Sequence, residues 1–160
     1  MSNIDALTEA GFSVSTEKYW LDVELIHRFL SEESYWAQNI SKELVQKAID
    51  HSLCFGVYHR GRQVGFARVI SDQATFAYLA DVFIIQDYRG QGLATWLMEQ
   101  IHSHPDLQGL RRWMLVTRDA HSLYARFGWE QVPEAVVGRM MQKHAPNIYH
   151  SSSTEESNNP

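Results

Sequence analysis

The sequence contains one cysteine, no long apolar run and no block of basic residues. A single thiol cannot form an internal disulfide, which favours a reducing compartment. No apolar stretch approaches the roughly 20 residues that cross a bilayer, so we expect no membrane partner. The first residues lack both the charged and the apolar part of a signal peptide. Together these absences predict a cytoplasmic protein.

Positive charge is scarce as well. The chain has 14 Lys and Arg residues against 19 Asp and Glu residues, a net charge of −5. Nucleic-acid-binding domains usually carry a basic surface, so nucleic acid is not an expected partner. His102 and His104 have a metal-like spacing, but no cysteine or carboxylate cluster accompanies them, and we expect no metal. Cys54 lies in an apolar run and is interpreted as a buried strand residue.

The remaining composition is that of one globular domain. With 160 residues, 44% of them hydrophobic, the chain is long enough to bury a full core. We assign residues 1–150 to this domain. Residues 151–160 contain only Ser, Thr, Glu, Asn and Pro, which predicts a disordered tail.

The order of hydrophobic patterns predicts an α/β protein with a mixed sheet and helices on both faces. A hairpin comes first, followed by alternating strands and helices. Ser41 is predicted to cap one helix and Asp119 another. Residues 1–11 are left without a predicted element. The predicted strands are 12–15, 53–59, 63–71, 78–85, 112–117 and 136–142, and the predicted helices are 21–30, a segment after Ser41, 93–101 and 120–127.

A glycine-rich turn joins the strand at 78–85 to the helix at 93–101. It reads Arg89-Gly90-Gln91-Gly92-Leu93-Ala94. The first N–H groups of a helix have no partner within the helix and point outward at the positive end of its dipole, so such a turn favours a phosphate or diphosphate. A P-loop is excluded because no Lys-Ser/Thr pair follows. A Rossmann turn is disfavoured because Thr95 stands at the third glycine position.

This turn resembles the Arg/Gln-x-x-Gly-x-Gly/Ala loop of the GNAT superfamily, the acetyl-CoA-dependent N-acetyltransferases. Arg89, Gly92 and Ala94 occupy its defining positions. A second signature of that family, Tyr-x-x-x-Gly-aromatic, matches residues 124–129. The resemblance extends over residues 12–143. It implies a GNAT-like fold, acetyl-CoA as co-substrate, an amine acceptor and no metal.

The resemblance also implies which residues form the site. In the family the two central strands separate at one end, and the arm of the cofactor lies along the backbone of the earlier strand. Tyr35 and Trp36 fall where relatives often overhang the acceptor, although a packing role is the alternative. The implied cofactor-binding residues are Val82, Phe83, Ile84, Arg89, Gly90, Gln91, Gly92, Leu93, Ala94 and Thr95.

Two side chains are candidates for the chemistry. By the resemblance, Tyr124 donates to the cofactor sulfur; surface packing is the alternative. Asp81 is the candidate base that removes a proton from the amine, directly or through water. Strand alternation places it on one face with Leu79, Phe83 and Ile85, where an unpaired carboxylate is disfavoured. The alternative for Asp81 is an ion pair, for example with Arg68 on the neighbouring strand.

We therefore expect an N-acetyltransferase, monomeric or homodimeric, that transfers acetyl to a primary amine by direct attack in a ternary complex. One alternative is a non-catalytic CoA-binding sensor or interaction module on the same fold. Another is an unrelated nucleotide-binding protein that uses the same glycine turn. The sequence does not identify the acceptor.

Overall fold

A computed structural model describes residues 2–150; Met1 and residues 151–160, with the predicted tail, lie outside the described part. Five strands form one sheet in the order β1-β2-β3-β4-β5. Neighbours are antiparallel except β4 and β5, which are parallel. The strands are β1 Phe12–Ser15, β2 Leu53–His59, β3 Arg62–Ser71, β4 Phe76–Ile84 and β5 Arg112–Met114. The α-helices are α1 Asn3–Glu9, α2 Val23–Arg28, α3 Lys42–Asp50, α4 Leu93–Ser103, α5 His121–Ala125 and α6 Glu134–Val137.

Helices cover both faces of this sheet, as the sequence predicted. On one face, Leu97 and Met98 of α4 are buried in a core cluster that also contains Leu7 of α1. On the other face, Ile26 of α2 and Val45 of α3 form a second cluster. The sheet thus lies between two apolar layers. No helix within residues 2–150 combines the length and the apolar character needed to cross a membrane.

The helix ends follow local sequence chemistry. Ser41 caps α3 as predicted, because its side chain accepts a hydrogen bond from the N–H of Leu44 at 3.3 Å. Helix α1 was not predicted. Its signal was the pair Ser2 and Asp5, which form a capping box at its start. Helix α2 continues into a wider π-helical turn, Phe29–Glu33, a feature that often occurs at functional sites.

Strand β4 contains a bulge that corrects the predicted face of Asp81. Phe66 pairs with Phe83 and Arg68 pairs with Ala80, so one residue of β3 lies opposite two residues of β4. Asp81 has a φ of 55°, the left-handed region, which aspartate tolerates better than most residues. The bulge shifts the alternation by one residue. Leu79 therefore belongs to the α1–α4 cluster, whereas Phe83 belongs to the α2–α3 cluster.

The predicted strand at 136–142 is wrong. Residues Glu134–Val137 form the short helix α6 instead, and no strand follows it within the described residues. The N–H groups of Val136 and Val137 both bond to the carbonyl of Pro133, so local bonds replace strand pairing. Met141 is 99% exposed, which shows that the apolar residues here do not face a core.

An aromatic cluster fixes the C-terminal half of α4 against β5 and the chain after α5. His102 stacks on Phe127, with ring centroids 5.4 Å apart, and also contacts Trp113. The indole N–H of Trp129 donates to Nε2 of His102 at 3.0 Å. Burial lowers the pKa of His102, so the ring is neutral in the folded protein near pH 7.

This lowered pKa predicts a loss of stability in mild acid. The unfolded chain binds a proton at His102 with an ordinary pKa near 6.5, whereas the folded protein resists it, so folding is weakened as the pH falls below about 6.5. We expect the free energy of unfolding, measured with urea between pH 7.5 and 5, to fall more steeply for the wild type than for His102→Gln. Parallel curves for the two proteins would contradict this assignment.

Candidate active site

A cleft opens where β4 and β5 stop pairing. Only three residue pairs join the strands, the last being Tyr78 with Met114. Strand β4 continues to Ile84, while the chain after β5 leaves the sheet, so β5 is shorter than the predicted 112–117. Beyond Tyr78 no described strand covers this edge of β4. The resulting cavity has a volume of about 690 Å³.

Most of the predicted site residues meet in this cavity, although they come from four separate parts of the chain. Asp81 and Gln91 do not line it. The predicted residues that do are Tyr35, Trp36, Val82, Phe83, Ile84, Arg89, Gly90, Gly92, Leu93, Ala94, Thr95 and Tyr124. The lining residues to which sequence analysis gave no site role are Phe29, Glu33, Tyr88, Asp119, Ala120, Leu123 and Arg126.

The glycine turn forms one end of the cavity. Gly90 and Gly92 have φ values of 77° and 87°, the left-handed region in which glycine is not strained. Gly92 caps α4 without a side chain. Among the described residues, no acceptor bonds to the backbone N–H groups of residues 90–95. Six free donors at a helix N-terminus are the arrangement from which sequence analysis predicted an anion seat, and anion binding here stays a prediction.

Arg89 ties this turn to the end of β4. Its Nε donates to the carbonyl oxygen of Ile84 at 2.8 Å, a contact that sequence analysis did not anticipate. One edge of the guanidinium is used in this bond, and the side chain still lines the cavity. Arg89 therefore fixes the geometry of the turn while keeping positive charge beside the free N–H groups.

The second sequence signature positions Tyr124. Gly128 has a φ of 83°, and the N–H of Trp129 returns to the carbonyl of Tyr124 at 3.3 Å. The Tyr124 ring, 5.9 Å from that of Trp129, is only 8% exposed and lines the cavity. Within residues 2–150 its hydroxyl has no hydrogen-bond partner. The phenol is thus held by packing, and its hydroxyl is unpaired within the described residues.

The environment of Tyr124 keeps its hydroxyl protonated. Burial, and to a lesser extent the nearby Tyr35 and Asp119, raise the pKa of Tyr124 to about 12. A phenol with this pKa carries its proton throughout the neutral range. Tyr124 can therefore donate a hydrogen bond to a group in the cavity, but it cannot act there as a base.

Asp81 lies outside the cavity. It forms the ion pair with Arg68 that sequence analysis gave as the alternative to a role as base. Its Oδ2 accepts from Nε of Arg68 at 2.8 Å, and both side chains are largely buried. Its Oδ1 accepts from the indole N–H of Trp36 at 2.9 Å. Arg68 also donates to the Ser52 hydroxyl. The carboxylate thereby connects the β4 bulge to a residue of the cavity wall.

Tyr35 and Trp36 extend from the loop after the π-helical turn. Buried Ser34 fixes this loop by donating to the carbonyl of Leu30 and accepting from the N–H of Ala37. The Tyr35 hydroxyl accepts from the backbone N–H of Arg118 at 2.9 Å. This bond joins the loop before α3 to the loop after β5, across the opening of the cleft.

The predicted capping role of Asp119 is wrong. Helix α5 begins without a side-chain cap from Asp119. The N–H of Ala120 bonds instead to Oγ1 of Thr117 at 3.1 Å. The Asp119 side chain is therefore free of the helix and lines the cavity.

The fold and the site define a class of protein. A parallel strand pair that opens beside a helix N-terminus, with free donors at one end and a protonated phenol within, suits a ligand with an anionic end and an extended arm. The described residues contain no group of three or more His, Cys, Asp or Glu side chains that could hold a metal ion. The site therefore consists of backbone donors, aromatic rings and a few charges.

Comparison with known proteins identifies the family. Residues 50–131 match the sequence profile described as the acetyltransferase (GNAT) domain. The candidate acetyltransferase FG08082 of Gibberella zeae is 31% identical over an aligned length of 141, and the match covers 74% of this chain and 78% of the relative. The chain belongs to the GNAT acetyltransferase family.

Comparison with solved structures agrees with this family assignment. A protein of Xanthomonas campestris pv. campestris, assigned to the GNAT family of acetyltransferases, is 54% identical with a TM-score of 0.82, covering 86% of this chain and 96% of that one. Glucosamine-6-phosphate N-acetyltransferase of Arabidopsis thaliana has a TM-score of 0.59 at 14% identity, covering 83% and 97%. At that identity the similarity shows the fold alone.

The contacts of Asp81 predict that its charge supports folding. Neutralising one member of a largely buried ion pair leaves the other charge uncompensated, which lowers stability by about 3 kcal/mol. We expect this loss for Asp81→Asn in urea unfolding, partial recovery in Asp81→Asn/Arg68→Met, and almost no loss in the exposed control Glu32→Gln. An Asp81→Asn variant as stable as the wild type would contradict a structural role for the pair.

Proposed function

We propose that the protein transfers the acetyl group of acetyl-CoA to a primary amine by direct attack in a ternary complex. The observation that carries this proposal is the position of the free backbone N–H groups at residues 90–95, all of which except Gln91 line the same cavity as the unpartnered hydroxyl of Tyr124. The N–H groups suit a diphosphate, and the Tyr124 hydroxyl suits a sulfur leaving group. The uncovered edge of β4 lies between them and matches an extended arm.

The residues present fit acetyl-CoA. The N–H groups of Gly90, Gln91, Gly92, Leu93, Ala94 and Thr95 would hold its diphosphate, with the Arg89 guanidinium beside them. The backbone of Val82, Phe83 and Ile84 would hold the pantetheine arm, because no described strand uses this edge. When bound, acetyl-CoA supplies an acetyl thioester whose carbon–sulfur bond breaks as the amide bond forms, and a proton lost by nitrogen balances the proton gained by sulfur.

The chain contributes positioning and hydrogen bonds to this reaction. Backbone N–H groups of β4 at the uncovered edge are available to stabilise negative charge that develops on the acetyl oxygen. Tyr124 is proposed to donate a hydrogen bond to the sulfur, and its raised pKa keeps the hydroxyl protonated. Tyr35 and Trp36 are proposed to form the acceptor side of the cavity.

The base role of Asp81 stays a prediction. Its position outside the cavity and its bonds to Arg68 and Trp36 support the alternative, in which it holds the bulge and the Trp36 ring. In that case the amine reaches the cavity in its neutral form, or loses its proton to water. The stability of Asp81→Asn and its turnover together separate the two roles.

The glycine turn predicts a selective loss of cofactor affinity in Gly92→Ala. Gly61, in the β2–β3 turn, also has a left-handed φ, so Gly61→Ala is the control for backbone strain. Gly61 has open space around it, whereas a Cβ at Gly92 would lie 2.7 Å from Nδ2 of Asn3, the end of a side chain that has to shift. Both changes should lower stability by roughly 1 kcal/mol because alanine is strained at such φ values. Only Gly92→Ala should lose most of the increase in melting temperature that CoA gives. Equal stabilisation of both variants by CoA would contradict the proposed diphosphate seat.

Tyr124→Phe should lower kcat about 100-fold, the usual size of a general acid effect, while changing the Kd of CoA less than twofold. Tyr19→Phe, an exposed change outside the cavity, is the control. The wild-type rate should rise with pH as the acceptor amine, with a pKa near 10, becomes neutral. Because the pKa of Tyr124 is about 12, we expect no falling limb below about pH 11. Unchanged turnover in Tyr124→Phe would remove this residue from the mechanism.

A further inference from the structure

Two carboxylates lie near the point where the cavity is bridged. Glu33 precedes Tyr35 by two residues, and Asp119 directly follows Arg118. The bond between Tyr35 and Arg118 joins these two loops, and both Glu33 and Asp119 line the cavity. Within residues 2–150, neither carboxylate has an ion pair or a side-chain hydrogen bond.

The cations are arranged differently. Arg89 belongs to the glycine turn and Arg126 follows the last residue of α5, whereas Asp119 precedes its first residue. Arg118 does not line the cavity; its guanidinium lies 4.0 Å from the centre of the Tyr35 ring. No lysine lines the cavity either. Of the charged residues that line the cavity, the two carboxylates belong to the bridged loops, with the Arg118 guanidinium beside them on the Tyr35 ring, whereas Arg89 and Arg126 lie outside these loops.

The unpartnered hydroxyl of Tyr124 is a second, independent feature of this cavity. The Tyr124 side chain is more than nine-tenths buried, and its hydroxyl has no partner among the described residues. It lines the same cavity as Glu33 and Asp119. If Tyr124 donates a hydrogen bond to the leaving sulfur, the reacting nitrogen of the acceptor must come close to this phenol.

The wall between these groups is aromatic. Phe29 stacks on Phe83 with ring centroids 3.9 Å apart, and Tyr35 meets Trp36 edge to face at 5.0 Å. Rings of this kind pack against methylene groups and attract cations to their faces. An alkyl chain that ends in an ammonium group matches an aromatic wall followed by two carboxylates.

We infer that the acceptor is a slender aliphatic amine that carries a second positive charge, of the diamine or polyamine class. Its distal ammonium lies between Glu33 and Asp119, and its neutral amino group reaches Tyr124. This inference rests on the proposed function and assigns its acceptor. The bridge between Tyr35 and Arg118 favours a thin chain over an amine on a folded protein surface.

The test uses three amines with the same four-carbon chain and different far ends: 1,4-diaminobutane, 1-aminobutane and 4-aminobutanoate. Thiol release from acetyl-CoA gives kcat/KM for each with the full-length protein. We expect the diamine to be preferred over 1-aminobutane by about tenfold and 4-aminobutanoate to be the poorest, because each exposed charge pair is worth up to about fivefold. The preference should shrink as salt is raised from 20 to 500 mM.

The variant Glu33→Gln/Asp119→Asn should abolish the preference for the diamine, whereas the neighbouring control Glu32→Gln should keep it. Calorimetric titration of 1,4-diaminobutane into the protein with CoA gives a readout without turnover, and the double variant should bind about tenfold more weakly. Transfer to all three amines without a charge preference, or a preference that survives in the double variant, would overturn the inference. Failure to bind CoA or to transfer acetyl to any amine would instead overturn the proposed function.

Discussion

The early end of hydrogen bonding between β4 and β5 is the constraint on which the site depends. A sheet normally pairs the polar groups of every internal strand, and unpaired backbone in a protein interior is disfavoured. Here pairing stops at Tyr78 and Met114, while β4 runs on to Ile84. The exposed edge, the glycine turn beside it and the buried phenol opposite form one cavity because of this separation. The proposed ligand, with an anionic end and an amide-bearing arm, would satisfy these groups together.

The surroundings hold this open geometry in place from both faces of the sheet. On one face, the His102 cluster fixes α4, β5 and the chain after α5, which sets the distance between the glycine turn and Tyr124. On the other face, the ion pair of Asp81 with Arg68 stabilises the β4 bulge and extends to Trp36. The bulge also moves Phe83 to the α2–α3 side, where it stacks on Phe29. Features far from the proposed chemistry thus shape the cavity walls.

Sequence reasoning found the parts of the site that have local signals. The glycines before α4, the cap at Ser41 and the alternation of apolar residues each follow from short-range chemistry, and they predicted the mixed sheet and the glycine turn that opens α4. The bulge at Asp81 has no such signal, because the sequence does not distinguish an aspartate with a left-handed φ from an ordinary strand residue. Strand alternation therefore predicted, wrongly, that Asp81 lies on the same face as Leu79. The strand predicted at 136–142 failed because local bonds to Pro133 form a helix. Glu33 and Asp119 line one cavity only because of the fold, which spacing alone does not reveal.

The central claim is that the free N–H groups at the start of α4 and the uncovered edge of β4 together bind acetyl-CoA. A titration of the ¹⁵N-labelled protein with CoA, followed amide by amide in ¹H–¹⁵N correlation spectra, tests it most directly. The account predicts saturable shifts concentrated at residues 90–95 and 82–84, with slower hydrogen exchange at the same amides. Saturable shifts confined to other parts of the protein, or no shifts at these residues at millimolar CoA, would contradict it.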